Sequence, residues 1–195
     1  MAKKQKAKKQ TNDLINTQNN SLAYQGKVKV QVAHGNQIIS TKTYHNKGLP
    51  DLFKYLNHAL AGAYYPTLRP CKVALFNYAN SDSAQGPETF DWSVANTSNF
   101  FTLVSPYVVY DASPVVTTTA EGYATTYRFK IPFNWLYRNT FNVIGLFSEN
   151  NSACAYYLCV KEDENGQVVW DGEPLSDING NYSLIIEWTM ELSNK

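Results

Sequence analysis

The chain has 195 residues, with 17 Lys and Arg against 16 Asp and Glu, for a net charge of +1. That length is enough for one good core. The near-neutral total excludes a protein that is basic or acidic throughout. The charge is uneven, however. Five cations, Lys3, Lys4, Lys6, Lys8 and Lys9, fall in the first ten residues, which leaves 12 basic against 16 acidic side chains and a body of −4.

Charged residues make up 17% of the chain and aromatic residues 14%, with 14 Tyr. Tyr joins an apolar body to a polar tip, so it suits half-covered sheets and interfaces. Two readings fit this composition: a domain partly covered by partners, and an ordinary all-β domain.

Residues 1–24 read as a basic arm and polar linker, and 25–195 as one β-rich domain. The opening MAKKQKAKKQ has no acid and almost no apolar surface. It cannot offset its ordering entropy by burial, which predicts a disordered arm. The five lysines are the candidate anchoring residues, toward a capsid or toward nucleic acid. They could neutralise about five phosphates without reading any base. Leu14 and Ile15 are the only paired apolar side chains of this segment. They could pin it to a neighbour.

The first element is a hairpin. Val28, Val30 and Val32 alternate with Lys27, Lys29 and Gln31, Gly35-Asn36 supplies the turn, and QIISTKTY returns. A helix is predicted over about 49–62. Pro50 stands near its start, Leu49, Leu52, Phe53, Leu56 and Leu60 form one apolar stripe, and Gly62 is the stop. CKVALFNY (71–78) is a short apolar strand, and 79–89 is a polar loop. Further strands are read over 100–110, bent near Pro106, and over 123–131, 140–148, 153–161 and 167–170. In the final strand, 182–192, Leu184, Ile186, Trp188, Met190 and Leu192 share one face. The fold class expected is mainly β: an antiparallel β-sandwich or jelly-roll-like body with one packed α-helix.

No constellation carries a known chemistry. His34, His45 and His58 sit in no nucleophile motif, and G-x-S-x-G is absent. Glu187 and Glu191 share a strand face, but four strand residues span about 13 Å. Paired-carboxylate mechanisms use roughly 5–9.5 Å. Asp163-Glu164-Asn165-Gly166 and Asp177-Ile178-Asn179-Gly180 echo calcium loops but fail the ligand frame, and Asx turns explain them. Cys71, Cys154 and Cys159 read as small core residues, with Cys154 and Cys159 on opposite faces of a regular strand. No metal site, cofactor or catalytic residue is expected. The basic start is followed by QTNDLINTQNN rather than an apolar run, and nothing approaches the length of a membrane span. The expectation is a protein made in a cytoplasm, with no membrane partner.

One stretch carries a resemblance. Residues 27–76 run from the Lys/Val hairpin through Tyr44-His45-Asn46-Lys47-Gly48 and Leu52-Phe53, with Leu56, Leu60 and Gly62. Arg69-Pro70 then lead into an apolar strand. This arrangement resembles virion proteins of tailed bacteriophages, notably head-fibre or capsid-decorating proteins of crAss-like phages. The resemblance covers about a quarter of the chain and rests on packing signals. It implies a non-enzymatic, oligomeric accessory of the virion, held to the phage capsid or other virion proteins by its N-terminal part. Two alternatives stay open. One is the jelly-roll capsid protein of a small virus, with the arm turned to the genome. The other is a carbohydrate-binding module using its Trp and Tyr residues.

Overall fold

The computed structural model describes residues 22–48, 69–78, 101–120, 122–165, 168–171, 173–174 and 181–194, with single positions 56, 62 and 67. β1 (Leu22–His34) and β2 (Gln37–Gly48) form the predicted hairpin. Its turn needs a left-handed residue, and Gly35 supplies one at φ 58°. The chain continues through β3 (Pro70–Tyr78), β4 (Phe101–Leu103), β5 (Val108–Val109), β6 (Val115–Thr118) and β7 (Gly122–Pro132). A single 3-10 turn, Phe133–Trp135, follows. Next come β8 (Thr140–Phe141), β9 (Val143–Ser148), β10 (Ala153–Leu158), β11 (Val160–Glu162), β12 (Val168–Trp170), β13 (Glu173–Pro174) and β14 (Tyr182–Asn194).

Ten strands join in one sheet of order β4-β3-β9-β10-β2-β1-β14-β7-β6, with β5 also on β3. All its pairings are antiparallel. The sheet has two halves. β2 belongs to both, since it pairs with β1 along most of its length and meets β10 at Gly48↔Ala155 and Lys47↔Tyr156. The far side is bridged as well. The Tyr110 N–H donates to the Cys71 carbonyl at 3.3 Å, and the Asp111 N–H donates to the Arg128 carbonyl at 2.9 Å. Residues 108–111 therefore reach from β3 to β7. Two small pairs, β11 with β12 and β8 with β13, complete the described strands.

The core follows from period-two patterning. In β14, Leu184, Ile186 and Trp188 are fully buried. Register sets Trp188 between Val28 and Tyr127, and Ile186 between Val30 and Phe129. Val73, Leu75, Ile144, Leu146 and Tyr157 of the other half join the same cluster. Tyr44 stacks on Tyr157 with ring centroids 4.6 Å apart. β9 is buried at all six positions, so it reads as an apolar run rather than an alternation. The Trp188 indole N–H has no hydrogen-bond partner among the described residues. An orphaned donor costs about 1–3 kcal/mol. Burying 150–250 Å² of ring returns roughly 4–6 kcal/mol at 25 cal/mol per Å², so burial wins.

Several expectations are refined. β1 begins at Leu22, inside the segment read as arm and linker over 1–24, because Leu22, Ala23 and Tyr24 pair with Asn194, Ser193 and Leu192. The strand read over 100–110 is two short strands broken around Pro106, where the Ser105 hydroxyl accepts the Leu75 N–H. Cys154 and Cys159 do not lie on opposite sides. A register shift between Ala153 and Ala155 interrupts the alternation, and both thiols enter the one core cluster. The helix expected over 49–62 falls largely outside the described residues. Of its positions, Leu56 is partly buried against the core and Gly62 has φ 71°.

Two substitutions test this packing by urea denaturation. Ile186→Ala should cost about 2–5 kcal/mol. A Cβ on Gly145 would lie 2.4 Å from the Phe147 ring, so Gly145→Ala should cost about 1–3 kcal/mol by overpacking. Losses under about 0.5 kcal/mol would place both sites at the surface.

Candidate interaction surface

The outward faces of the long strands carry the charge, and most of it has a partner. Lys29 of β1 reaches Glu187 of β14 at 2.9 Å, and Lys42 of β2 reaches Asp171 at 3.0 Å. Arg128 of β7 pairs with Asp111. Thr126 and Thr189 share a hydrogen bond at 2.9 Å. The Thr119 hydroxyl donates to Glu191 at 2.9 Å. Exposed pairs of this kind contribute about 0–1 kcal/mol each. Their main effect is to occupy the carboxylates: of Glu187 and Glu191, weighed above as a catalytic pair, the first holds Lys29 of β1 and the second accepts from Thr119 just after β6.

The other candidates for chemistry have structural settings too. His34 stacks on Tyr182 at 4.6 Å, beside the hairpin tip. His45 lies in β2, and His58 is outside the described residues. The Asp163 carboxylate accepts the Asn165 N–H at 2.8 Å, an Asx turn. Asp177 to Gly180 lie outside the described residues, as do the anchoring candidates Lys3, Lys4, Lys6, Lys8 and Lys9. Among the described residues, no three His, Cys, Asp or Glu gather as a metal site would require. All three cysteines are buried. Burial pushes the Cys71 thiol above its ordinary range, against the pull of Lys72 and Arg69.

Several apolar and aromatic side chains are exposed as well. Val115 and Val116 of β6 are 59% and 66% exposed, and Tyr123 of β7 is 64% exposed. Trp135 and Tyr137, two residues apart beside the 3-10 turn, are 49% and 62% exposed. This turn is held from beneath: Phe133 and Leu136 are buried, and the Tyr137 N–H donates to the Val104 carbonyl at 2.7 Å. Trp135 and Tyr137 thus stand on an anchored platform. Sequence reading passed over β6 altogether. Its only signal is five β-branched residues between Pro114 and Gly122, too short for a periodicity argument.

No protein-family model, no curated protein and no solved structure matches the chain. No helix among the described residues is long and apolar enough to cross a membrane.

Tyr107, Phe147 and Tyr156 form an aromatic group of their own. Tyr107 meets Phe147 edge-on at 4.9 Å, and Phe147 meets Tyr156 in the same way. Burial drives the Tyr156 hydroxyl well above the ordinary value of 10.0, with Tyr107 adding to the rise. Burial likewise raises Tyr107. The folded chain therefore holds these protons where the unfolded chain releases them. With more protons bound in the folded state, stability falls as pH rises past the unfolded value near 10. Tyr156→Phe should flatten that alkaline slope in urea midpoints taken from pH 8 to 11. An unchanged slope would remove Tyr156 as its source.

Proposed function

We propose that this chain is a non-enzymatic structural component of a phage virion, of the head-fibre or capsid-decorating type. In this reading the two halves of the sheet are the layers of a β-sandwich of jelly-roll-like form, packed by the helix expected over 49–62. The domain self-associates, and its N-terminal lysines hold it to the capsid.

One observation carries the reading. The domain engages Glu187 and Glu191 in contacts of its own and leaves Val115, Val116, Tyr123, Trp135 and Tyr137 on the outside. Interface cores are poor in charge and rich in aromatic side chains. A protein whose work is contact needs such a surface, with no reactive centre beneath it. The resemblance of residues 27–76 to crAss-like phage virion proteins points the same way. The basic arm against a body of −4 suits attachment to an acidic capsid surface, or to a neighbouring copy.

Trp135 and Tyr137 favour a second reading, a carbohydrate-binding module. Two exposed rings on an anchored turn, beside Arg138 and Asn139, resemble a stacking platform with polar neighbours. A glycan array with Trp135→Ala as control separates the two readings. The virion reading expects no signal that this substitution removes.

The lysines test the anchor. Replacing Lys3, Lys4, Lys6, Lys8 and Lys9 by Gln should weaken co-sedimentation with virions and flatten its salt dependence. For duplex nucleic acid, the log–log slope should fall by roughly 4–5, at about 0.9 per phosphate. Attachment unchanged at every salt concentration would dispose of the electrostatic anchor. Removing residues 1–20 leaves β1 whole, so it should move the thermal midpoint by only a few degrees, as for changes away from the core.

A further inference from the structure

We propose that β6 is the edge at which two copies of this chain join, through antiparallel pairing of β6 with β6. The inference rests on the self-association in the reading above and gives it a place on the fold. It does not rest on the capsid.

β6 is the last strand of the ten-stranded sheet and pairs only with β7 among the described residues. Its backbone phase is fixed by one hydrogen bond: the Thr119 N–H donates to the Gly122 carbonyl at 2.9 Å. In an antiparallel ladder a residue's N–H and C=O point to the same neighbour, and successive residues alternate. Thr119, Thr117 and Val115 therefore turn their backbone groups to β7. Val116 and Thr118 turn theirs outward. Four strong hydrogen-bonding groups line the open edge.

Edges of this kind are normally blunted by charge, proline or a bulge. The chain guards another open stretch, on β2, in this way. The first part of β2 carries Lys42, and its register shifts between Val32 and Ala33, leaving Ile39 as the extra residue. β6 has neither device. Residues 112–120, ASPVVTTTA, hold no ionisable side chain, and Pro114 lies before the strand. Asp111, at the margin, is held by Arg128.

The charge pattern selects a second copy as the occupant. A two-fold axis perpendicular to the sheet sets one residue of the edge opposite itself. Any charge there would meet its like. This edge, neutral along its whole length, is complementary to itself. Centred on Thr117, the pairing sets Thr117 against Thr117 and Val116 against Thr118 of the second copy. All four outward groups are then satisfied: each Val116 exchanges both backbone bonds with Thr118 of the other copy. Every cross-strand pair is β-branched, which packs well on a pleated surface. The axis also keeps each face on its own side. Val116 of one copy thus enters the row of Thr118 and Tyr123 of the other, since Thr118 lies opposite Tyr123.

Sedimentation velocity on the full chain, from about 1 to 100 µM, tests the pairing. Wild type should pass from monomer to dimer across that range, as expected of an interface at the small end of the known sizes. Val116→Pro deletes an outward N–H and spares every bond to β7, so the fold should survive. The dimer dissociation constant should rise about tenfold or more. Thr117→Lys, which keeps the backbone, should do the same by setting like charges opposite each other on the axis. Circular dichroism checks that both variants retain their strands. A wild-type dimer that both variants match would overturn β6 as the interface and leave self-association standing. A wild type monomeric at 100 µM would overturn the pairing and the self-association together, and the virion co-sedimentation above would still judge attachment separately.

Discussion

The structure depends on the position of β14. It pairs with β1 across thirteen residues and with β7 across nearly its whole length, so its register is fixed from both sides. Side chains alternate with period two. A slip of one residue against either neighbour would carry Trp188, Ile186 and Leu184 out of the core and bring Glu187 and Ile185 in. Such a state would lose the row Val28–Trp188–Tyr127 and bury a carboxylate that now meets Lys29 in water. The penalty is large for every residue of the slip, which explains how so long a ladder selects one register.

The strongly alternating segments were legible for that reason. Lys27-Val28-Lys29-Val30, Tyr127-Arg128-Phe129-Lys130 and Leu184 to Trp188 each carry the two-residue period, and each is a strand with the face expected. The Gly35-Asn36 turn was legible because few other sequences accept positive φ. Short pieces were less so. β4 and β5 fall inside the one strand read over 100–110, and β6, with four residues, is below the length at which a period can be seen. The start of β1 at Leu22 was hidden for a similar reason: polar Asn20 and Ser21 resemble linker, and only the partner residues 192–194 make 22–24 a strand. The two cysteines show a third limit. A bulge shifts the alternation by one residue, and nothing in ACAYYLCVK announces it. Of the candidate surface, the abundance of Tyr pointed to contact, but which rings face outward depends on tertiary packing.

The same physics separates the two kinds of surface. Charged outward positions lie on inner strands, where a neighbour is always at hand: Lys29 has Glu187, and Arg128 has Asp111. There Lys29 finds a partner on the next strand and Arg128 one on the segment before β6, at little cost. Apolar outward positions include Val115, Val116 and Tyr123 at β6 and β7, Trp135 and Tyr137 at the turn, Val109 of β5, and Ile38 and Ile39 of β2. The rings of Trp135 and Tyr137 stand on backbone anchored by Phe133, Leu136 and the bond from Tyr137 to Val104. Rigid presentation lowers the entropy lost on contact, so this surface is better suited to binding than an equal area on a loose loop.

Why the open edge falls at β6 follows from how the two halves join. Each side of the molecule has one segment that serves both halves. On one side it is β2, which runs along β1 and ends against β10. On the other it is 108–118, which starts against β3 and ends as β6 against β7. A segment shared in this way can touch both halves only where they converge. Beyond that point it keeps one neighbour and exposes its other edge. β2 is exposed over its first part, beside the His34 end of β1, whereas β6 lies by Tyr123 and Leu192, at the opposite end. Both edges are thus consequences of the same closure. The chain placed a lysine and a bulge on the first and only valine and threonine on the second. If both were hazards to be suppressed, both would be expected to carry a blocking device. The contrast between two edges of one origin, rather than the exposure of either alone, marks β6 as a surface kept open for pairing.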